Sequence, residues 1–254
     1  MILTSQIRIV SWNIQHLGKS KNDQEIAYIA QKLKDSDIVA LQEIVAGYGG
    51  AQAVARLARN LNRLGSKWDY VISSPTKSSP HSAERYAFLW KTAKIKIIGK
   101  PWLDQNYIYE IEREPFMIRF KYNSKEFTLV NFHAIPKSKQ PEREIKYFKF
   151  FPNIYKGQNL IFLGDFNTNE RNTVFNPLKK MGYIPVFNRQ KTSLRTRCFK
   201  NDCLASELDN MFFSGERVIK LTSGIISFYK DFVSLKLARK ISDHVPIYFQ
   251  FDWK

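Results

Sequence analysis

Residues 159–167 read Asn-Leu-Ile-Phe-Leu-Gly-Asp-Phe-Asn. Four apolar residues in a row, Leu160 to Leu163, give a strand buried on both faces, and such a strand needs a sheet covered on both sides. The run stops at Gly164 and then delivers Asp165 and Asn167, two residues apart. On an extended chain those two side chains point the same way. A buried strand that ends in oxygen-bearing side chains is a rigid mount for metal or phosphate chemistry. The same residues also suit an Asx-turn, in which they bond only the nearby backbone.

Other stretches repeat this arrangement. Residues 7–13 are β-rich and alternating, and end on Asn13; residues 37–43 end on Glu43; residues 127–133 end on His133. A strand over 84–90 begins at Glu84, one over 208–213 contains Asp209, and Asp243-His244 precedes a last strand over 245–251. Residues 68–72 and the alternating apolar segments around Ile95, Tyr107 and 116–118 complete the β-rich set. Helical spacing appears at Ile26, Ile29, Ala30 and Leu33, behind a cap at Asn22 or Asp23. It appears again over 51–64, with Val54, Leu57, Ala58 and Leu61 on one face. Further helices are expected from Pro141 through Ile145, Phe148 and Phe151, over 172–180 and over 229–240, with loops at 47–50 and 73–82. No repeat, low-complexity tail or linker interrupts the pattern, so residues 1–254 parse as one continuous α+β domain.

At 44% hydrophobic and 14% aromatic the chain can fill a core with large side chains. No apolar run approaches the roughly 20 residues that span a bilayer. Residues 1–10 carry one charged side chain and no long apolar stretch, so they do not read as a secretory signal and the expected location is cytoplasmic. A mature chain that had shed its signal would look the same. Lys and Arg total 40 against 23 Asp and Glu, a net charge of +17, which points to a polyanionic partner such as nucleic acid or an anionic membrane surface. The basic residues are scattered, as charges that serve solubility also are. Two cysteines, Cys198 and Cys203, are too few for a disulfide framework or a zinc site; they could close a small loop or stay reduced.

The strand ends collect the least ordinary polar residues of the chain: Asn13, Glu43, Glu84, His133, Asp165, Asn167, Asp209 and the pair Asp243-His244. Hard cations such as Mg²⁺ prefer oxygen ligands, commonly one or two carboxylates completed by water and substrate phosphate. Two histidines, each near a carboxylate, suit proton transfer at neutral pH. Asp209 sits among Leu208, Met211 and Phe212, so if buried it needs a partner, and His244 would supply one.

Eight fragments in order carry a resemblance: Ser11-Trp12-Asn13, Leu41-Gln42-Glu43, Glu84-Arg85-Tyr86, Arg113-Glu114-Pro115, Asn131-Phe132-His133, Gly164-Asp165-Phe166-Asn167, Leu208-Asp209-Asn210 and Ser242-Asp243-His244. Together they resemble the endonuclease/exonuclease/phosphatase superfamily, within it most nearly the deoxyribonuclease I type. The resemblance implies a four-layer α/β/β/α sandwich, two packed mixed β-sheets flanked by helices. It implies Glu43 as the principal Mg²⁺ ligand, helped by Asn13 and Asp243, with Mn²⁺ or Ca²⁺ as alternatives. His244 paired with Asp209 would be the general base, and His133 held by Glu84 the general acid. Asp165 and Asn167 would position the nucleophile and the scissile phosphate, and Arg113 would bind phosphate. The activity so implied is sequence-nonspecific cleavage of DNA, with RNA as a second candidate, by a monomer that leaves 5′-phosphate and 3′-hydroxyl ends.

His133 stands where apurinic-site nucleases of the superfamily usually carry Tyr, and Thr168-Asn169-Glu170 does not match the inositol-phosphate phosphatases. Two minor-groove positions depart from the deoxyribonuclease pattern: Val45 replaces an arginine and Ser82 a tyrosine. Duplex binding must then rely on other groups, for which Arg56, Arg59, Lys77 and Lys137 are candidates. The long-range disulfide of that pattern also lacks its partners, since Glu170 and Ser206 occupy those places, which leans towards a reducing compartment. The same fold acting on lipid headgroups or small phosphates is one alternative; a non-catalytic nucleic-acid-binding module is another.

Overall fold

The computed structural model describes residues 6–78 and 83–254. The loop expected at 73–82 is therefore covered only to Ser78, and His81 and Ser82 lie outside the described residues.

Strand β1 (Ile7–Leu17) passes through helix α1 (Asp23–Leu33) to β2 (Ile38–Val45), which runs parallel to it. Asn22 and Glu25 form a reciprocal capping box that starts α1 where the sequence offered a cap. Helix α2 (Tyr48–Asn62) leads to β3 (Trp68–Ile72) and β4 (Glu84–Lys91). Strands β5 (Lys96–Leu103), β6 (Phe116–Tyr122) and β7 (Lys125–His133) form an antiparallel meander. Short helices α3 (Glu142–Ile145) and α4 (Phe151–Ile154) cross over to β8 (Leu160–Asp165), parallel to β7. There follow α5 (Asn176–Lys180), β9 (Tyr183–Pro185), a hairpin of β10 (Leu194–Phe199) and β11 (Asp202–Leu204), β12 (Asp209–Ser214), β13 (Val218–Ile225), α6 (Leu235–Ile241) and β14 (Ile247–Trp253).

Two six-stranded mixed sheets result, ordered β13-β14-β1-β2-β4-β3 and β5-β6-β7-β8-β12-β9. Side-chain alternation then builds three cores. Ile9, Ala40 and Phe88 of the first sheet meet Leu129, Ile161 and Leu163 of the second between the sheets. Val10, Val39 and Leu41 face outwards against α1, α2 and α6, while Val130, Phe162 and Phe212 face Phe148, Phe151 and Leu178 on the opposite outside. The four-layer α/β/β/α sandwich is thus realised, and β8 is buried on both faces as its apolar run demands. Each sheet holds one parallel pair at its middle, so β1 and β2, like β7 and β8, end on the same edge. No helix among the described residues is long and apolar enough to cross a membrane.

Several expected elements differ. The loop at 47–50 is instead the first turn of α2. A Cβ on Gly50 would lie 2.1 Å from the Val45 carbonyl oxygen, and one on Gly49 2.5 Å from that of Gly18, so these glycines serve close packing and not a turn. The helix from Pro141 is broken into α3, a 3₁₀ stretch over Lys146–Phe150 and α4, because Pro152 has no N–H to continue an α-helical ladder. The helix over 229–240 is a 3₁₀ turn at Phe228–Asp231 followed by α6, whose N-cap is Ser234. The segment around Tyr107 is a turn, and the β10–β11 hairpin, β9 and β13 had no counterpart in the sequence reading. Cys198 and Cys203 form a disulfide across that hairpin.

Candidate active site

Asp165 ends β8 at the centre of the second sheet, 1% exposed. Gly164 before it has φ +135°, and a Cβ there would sit 1.9 Å from the Phe132 carbonyl oxygen, so only glycine lets β7 and β8 close at this level. Register then does the rest. His133 on β7 and Asp209 on β12 are both direct cross-strand partners of Asp165, which lines up three polar side chains in one row. The chain does not stay extended to Asn167 as expected, because Asn167 adopts φ +51°. Its backbone N–H donates to Asp165 Oδ1 at 2.9 Å and its Nδ2 to the Ala134 carbonyl at 2.9 Å. The Asx-turn and the site therefore coexist in the same residues.

The first sheet supplies the facing wall. Its β2 register slips between Leu41 and Ile44, and Glu43 takes φ +58°. Gln42 fills the buried inward position, bonding Ser11 Oγ at 3.0 Å and Asn131 Oδ1 at 2.6 Å across the sheets, while Glu43 turns to the cleft. Such a bulge re-aims a side chain at a functional edge. Asn13 Nδ2 donates at 3.0 Å both to Glu43 Oε1 and to Asp165 Oδ2, so it bridges the two sheets.

Each histidine is held at Nδ1 and presents Nε2. His133 Nδ1 lies 2.9 and 3.0 Å from the Glu84 oxygens, and its Nε2 is 3.5 Å from Asp165 Oδ2 and 4.0 Å from Glu43 Oε1. His244 Nδ1 lies 2.7 Å from Asp209 Oδ2, and its Nε2 is 3.6 Å from the same Asp165 oxygen. The backbone of His244 is fixed by Trp12 Nε1, which donates to its carbonyl at 2.8 Å, and by Ser242 Oγ, which accepts from its N–H at 3.0 Å. Two imidazole edges thus converge on one carboxylate, and a cavity of about 430 Å³ lined by Glu43, Glu84, Arg113 and His133 opens on the His133 side.

Charge follows from this crowding. Burial disfavours the charged form of His244, but Asp209 and Asp165 outweigh it and push its pKa up to about 10. Burial pushes Asp209 up as well, so that pair keeps a shared proton to high pH. For His133 burial is again the largest influence and lowers it, Arg113 pulls the same way, and Glu84 with Asp165 outweighs them so that the net direction is up. Asp165 is held below the usual carboxylate range despite its burial, because both imidazoles face it.

Two expected site residues stand elsewhere than in the cluster. Arg113 donates through Nε to the His133 carbonyl at 3.0 Å, through one terminal nitrogen to Glu84 Oε2 at 3.3 Å, and through the other to the Ala134 carbonyl. Three of the five N–H groups of its guanidinium are committed to the His133 wall. Asp243 sits at the rim with Gln15 Nε2 at 3.4 Å and Arg239 at 3.5 Å as its partners. The sequence reading missed Lys21, whose ammonium bonds the Gln15 carbonyl and Ser20 Oγ beside Glu43 and Asp243. It also missed Thr192, whose Oγ1 accepts from the Asp209 N–H at 3.0 Å. Neither belongs to a recognisable spacing.

The donors present fit a hard cation. Asn13 Oδ1 is buried with no hydrogen-bond partner among the described residues, and Glu43, bound through Oε1 to the same Asn13 side chain, adds carboxylate oxygen beside it. Asp165, Asp209 and His244 also bring one ligand atom each within 4.8 Å of one another. In that trio Nδ1 of His244 is spent on Asp209, so the oxygen set at Asn13 and Glu43 is the better candidate for Mg²⁺-like ions.

Fold and cleft define a phosphate-ester hydrolase: the chain belongs to the Endonuclease/Exonuclease/phosphatase family, which it matches over residues 10–244. Among curated relatives it is similar to a deoxyribonuclease of Thioalkalivibrio sp. (strain K90mix), 26% identical over 98% of this chain and 72% of that one. It is also similar to deoxyribonuclease gamma of Rattus norvegicus, 24% identical over 96% and 84%. Among solved structures, the human nocturnin catalytic domain has a TM-score of 0.66 at 16% identity, covering 99% of this chain and 96% of that one. A mannosyl-6-phosphatase of Bacteroides thetaiotaomicron has a TM-score of 0.67 at 17% identity, covering 97% and 99%.

Proposed function

We propose that this chain is a divalent-metal-dependent, sequence-nonspecific DNA endonuclease that leaves 5′-phosphate and 3′-hydroxyl ends. The observation that carries it is the pair of separately held imidazoles whose Nε2 atoms lie 3.5 and 3.6 Å from Asp165 Oδ2. Hydrolysis of a phosphodiester needs one group to take a proton from water and another to give one to the leaving oxygen. His244, steadied by Asp209, takes the proton in this reading, and His133, steadied by Glu84, gives it. Asp165 lies between them and orients the attacking water, while Asn167 Oδ1 and the free N–H groups of Arg113 face the phosphate. Asn13 and Glu43, with Asp243 from the rim, would hold Mg²⁺, or Mn²⁺ or Ca²⁺ in its place. Such an ion would neutralise charge on the phosphorane oxygens and offset the acidic field that raises both histidines. The deoxyribonuclease relatives and the +17 charge support DNA as the polyanion, with RNA as a second substrate to test. One chain carries every site residue, so the active species is a monomer in this reading. The Cys198–Cys203 bond favours an oxidising compartment over the cytoplasmic location expected from sequence.

The test is supercoiled plasmid incubated with Mg²⁺, with and without EDTA. Nicking that EDTA abolishes is the expected result. Intact plasmid alongside phosphate or phosphocholine release from small esters would replace DNA by those substrates, and metal-independent binding without cleavage would reduce the chain to a binding module.

A further inference from the structure

The hairpin β10–β11 starts at the active-site wall and ends in solvent. Its first residue, Leu194, donates its N–H to the Asp243 carbonyl at 2.7 Å, and Ser193 bridges to His244. Its tip is a two-residue turn, Lys200-Asn201, in which both residues have positive φ, as a tight right-twisted hairpin requires. Phe199 precedes the turn and is 65% exposed, with the Lys200 ammonium over its ring. An exposed aromatic beside a positively charged groove is the pairing on which single-stranded nucleic acids stack their bases.

Between the hairpin and α6 runs a groove of about 500 Å³, with Thr196, Arg197 and Cys198 on one wall and Leu235, Lys236 and Arg239 on the other. Among the described residues three cations line it and no carboxylate does. Among the described residues Arg197 and Lys236 have no ion-pair partner. Arg239 joins the groove to the cleft: one terminal nitrogen bonds the Leu194 carbonyl at 2.7 Å and the other reaches Asp243. The disulfide and the Arg195–Asp202 and Lys191–Asp202 ion pairs keep the two hairpin strands together, so the wall is built before anything binds.

We infer that this groove is a strand-holding site: the phosphates of a nucleic-acid strand leaving the cleft on the His244 side seat on Arg197, Lys236 and Arg239, and Phe199 packs against a base or sugar. The inference rests on the nuclease reading and deepens it. It supplies duplex or strand grip at a place other than position 45, where valine offers no charge. A membrane-inserting role would want an apolar tip, and Lys200-Asn201 is polar.

The variants are R197A/K236A and, separately, F199A, neither of which touches the histidine cluster. Two readouts apply. One is the ratio of kcat/KM on a long duplex to that on the p-nitrophenyl ester of thymidine 5′-phosphate. The other is the salt dependence of duplex binding in EDTA. The double variant is expected to lower the ratio about tenfold and to flatten the slope of log affinity against log salt by about 2, since each neutralised phosphate contributes about 0.9. F199A is expected to lower the ratio about tenfold with the slope kept, because stacking is not ionic. Ratios and slopes equal to wild type in both, with thermal melting unchanged, overturn the groove. Loss of binding to anionic phospholipid vesicles, with duplex binding intact, overturns nucleic acid as its occupant. A wild-type protein that leaves duplex intact but cleaves the ester overturns the nuclease reading instead.

Discussion

The two histidines are built by the same exchange run in opposite directions. His133 ends β7 of the second sheet and is held by Glu84, which begins β4 of the first. His244 precedes β14 of the first sheet and is held by Asp209, which begins β12 of the second. Each hydrogen bond therefore ties one sheet to the other, and the cleft exists only when the sandwich is closed. The difference lies behind the carboxylates. Glu84 carries the Arg113 guanidinium at 3.3 Å, whereas the Asp209 carboxylate meets Thr192, its histidine and Asp165, and no arginine or lysine among the described residues pairs with it. Arg113 stands behind one pair and no fixed cation among the described residues stands behind the other, so Arg113 draws His133 back while Asp209 and Asp165 push the pKa of His244 up to about 10. Environment, and not residue type, makes one imidazole the readier proton donor and the other dependent on a neighbouring positive charge to become a base.

Removing either ring breaks the comparison most severely. His133→Ala and His244→Ala are each expected to slow plasmid nicking by about 10²–10⁴-fold, since either loses one half of a proton relay. Wild-type rates in both variants would sink the acid–base reading. The next largest effect separates the pairs. Glu84→Gln strands the buried Arg113, which cannot shed its proton, and should cost about 3–5 kcal/mol of stability. Asp209→Asn strands only His244, which can become neutral, and should cost less. Urea unfolding of both variants reads the order, and a reversed order would contradict the role given to Arg113. A smaller effect follows from the cation itself. Arg113→Gln removes a charge that lowers the His133 pKa, so the alkaline limb of kcat/KM, where the acid loses its proton, should move to higher pH. A limb that stays in place or moves down would mean that Arg113 acts on phosphate alone.

Much of this was legible in the chain because burial on both faces leaves a strong signature. The run behind Asp165 is a continuous apolar segment and those behind His133 and Glu43 are mostly apolar and buried, so their polar ends are conspicuous against them. Legibility failed where tertiary packing overrides local preference. Gly49 and Gly50 look like a loop and are helical because Gly18 and Val45 press against them. The hairpin β10–β11 shows no alternation to detect, since Arg195 through Lys200 are half-buried or exposed. Arg113 reads as a phosphate ligand by position, and only coordinates reveal that most of its donors brace Glu84 and the backbone at His133 and Ala134. The bulge at Glu43 was likewise invisible, because it depends on Gln42 finding Asn131 in the other sheet.

The smallest expected effect concerns stability of the metal-free protein with pH. The folded-state pKa of His244 is raised from about 6.5 to about 10, so between those values the folded form binds a proton that the unfolded form has lost. Stability from this source is complete below about pH 6.5 and fades as pH rises through about 10. His133 is raised in the same direction, with burial and Arg113 opposing it. Urea midpoints in EDTA should therefore fall from pH 6.5 to 9 in the wild type, and Asp209→Asn, which removes the nearest attraction, should flatten that fall. Saturating Mg²⁺ should flatten it too, because a cation at Asn13 and Glu43 substitutes for the protons that the acidic cluster otherwise recruits. Parallel wild-type and Asp209→Asn profiles in EDTA would show that the Asp209 carboxylate does not hold the His244 proton. The two pairs would then be electrostatically alike, and the contrast drawn from Arg113 would fail with them.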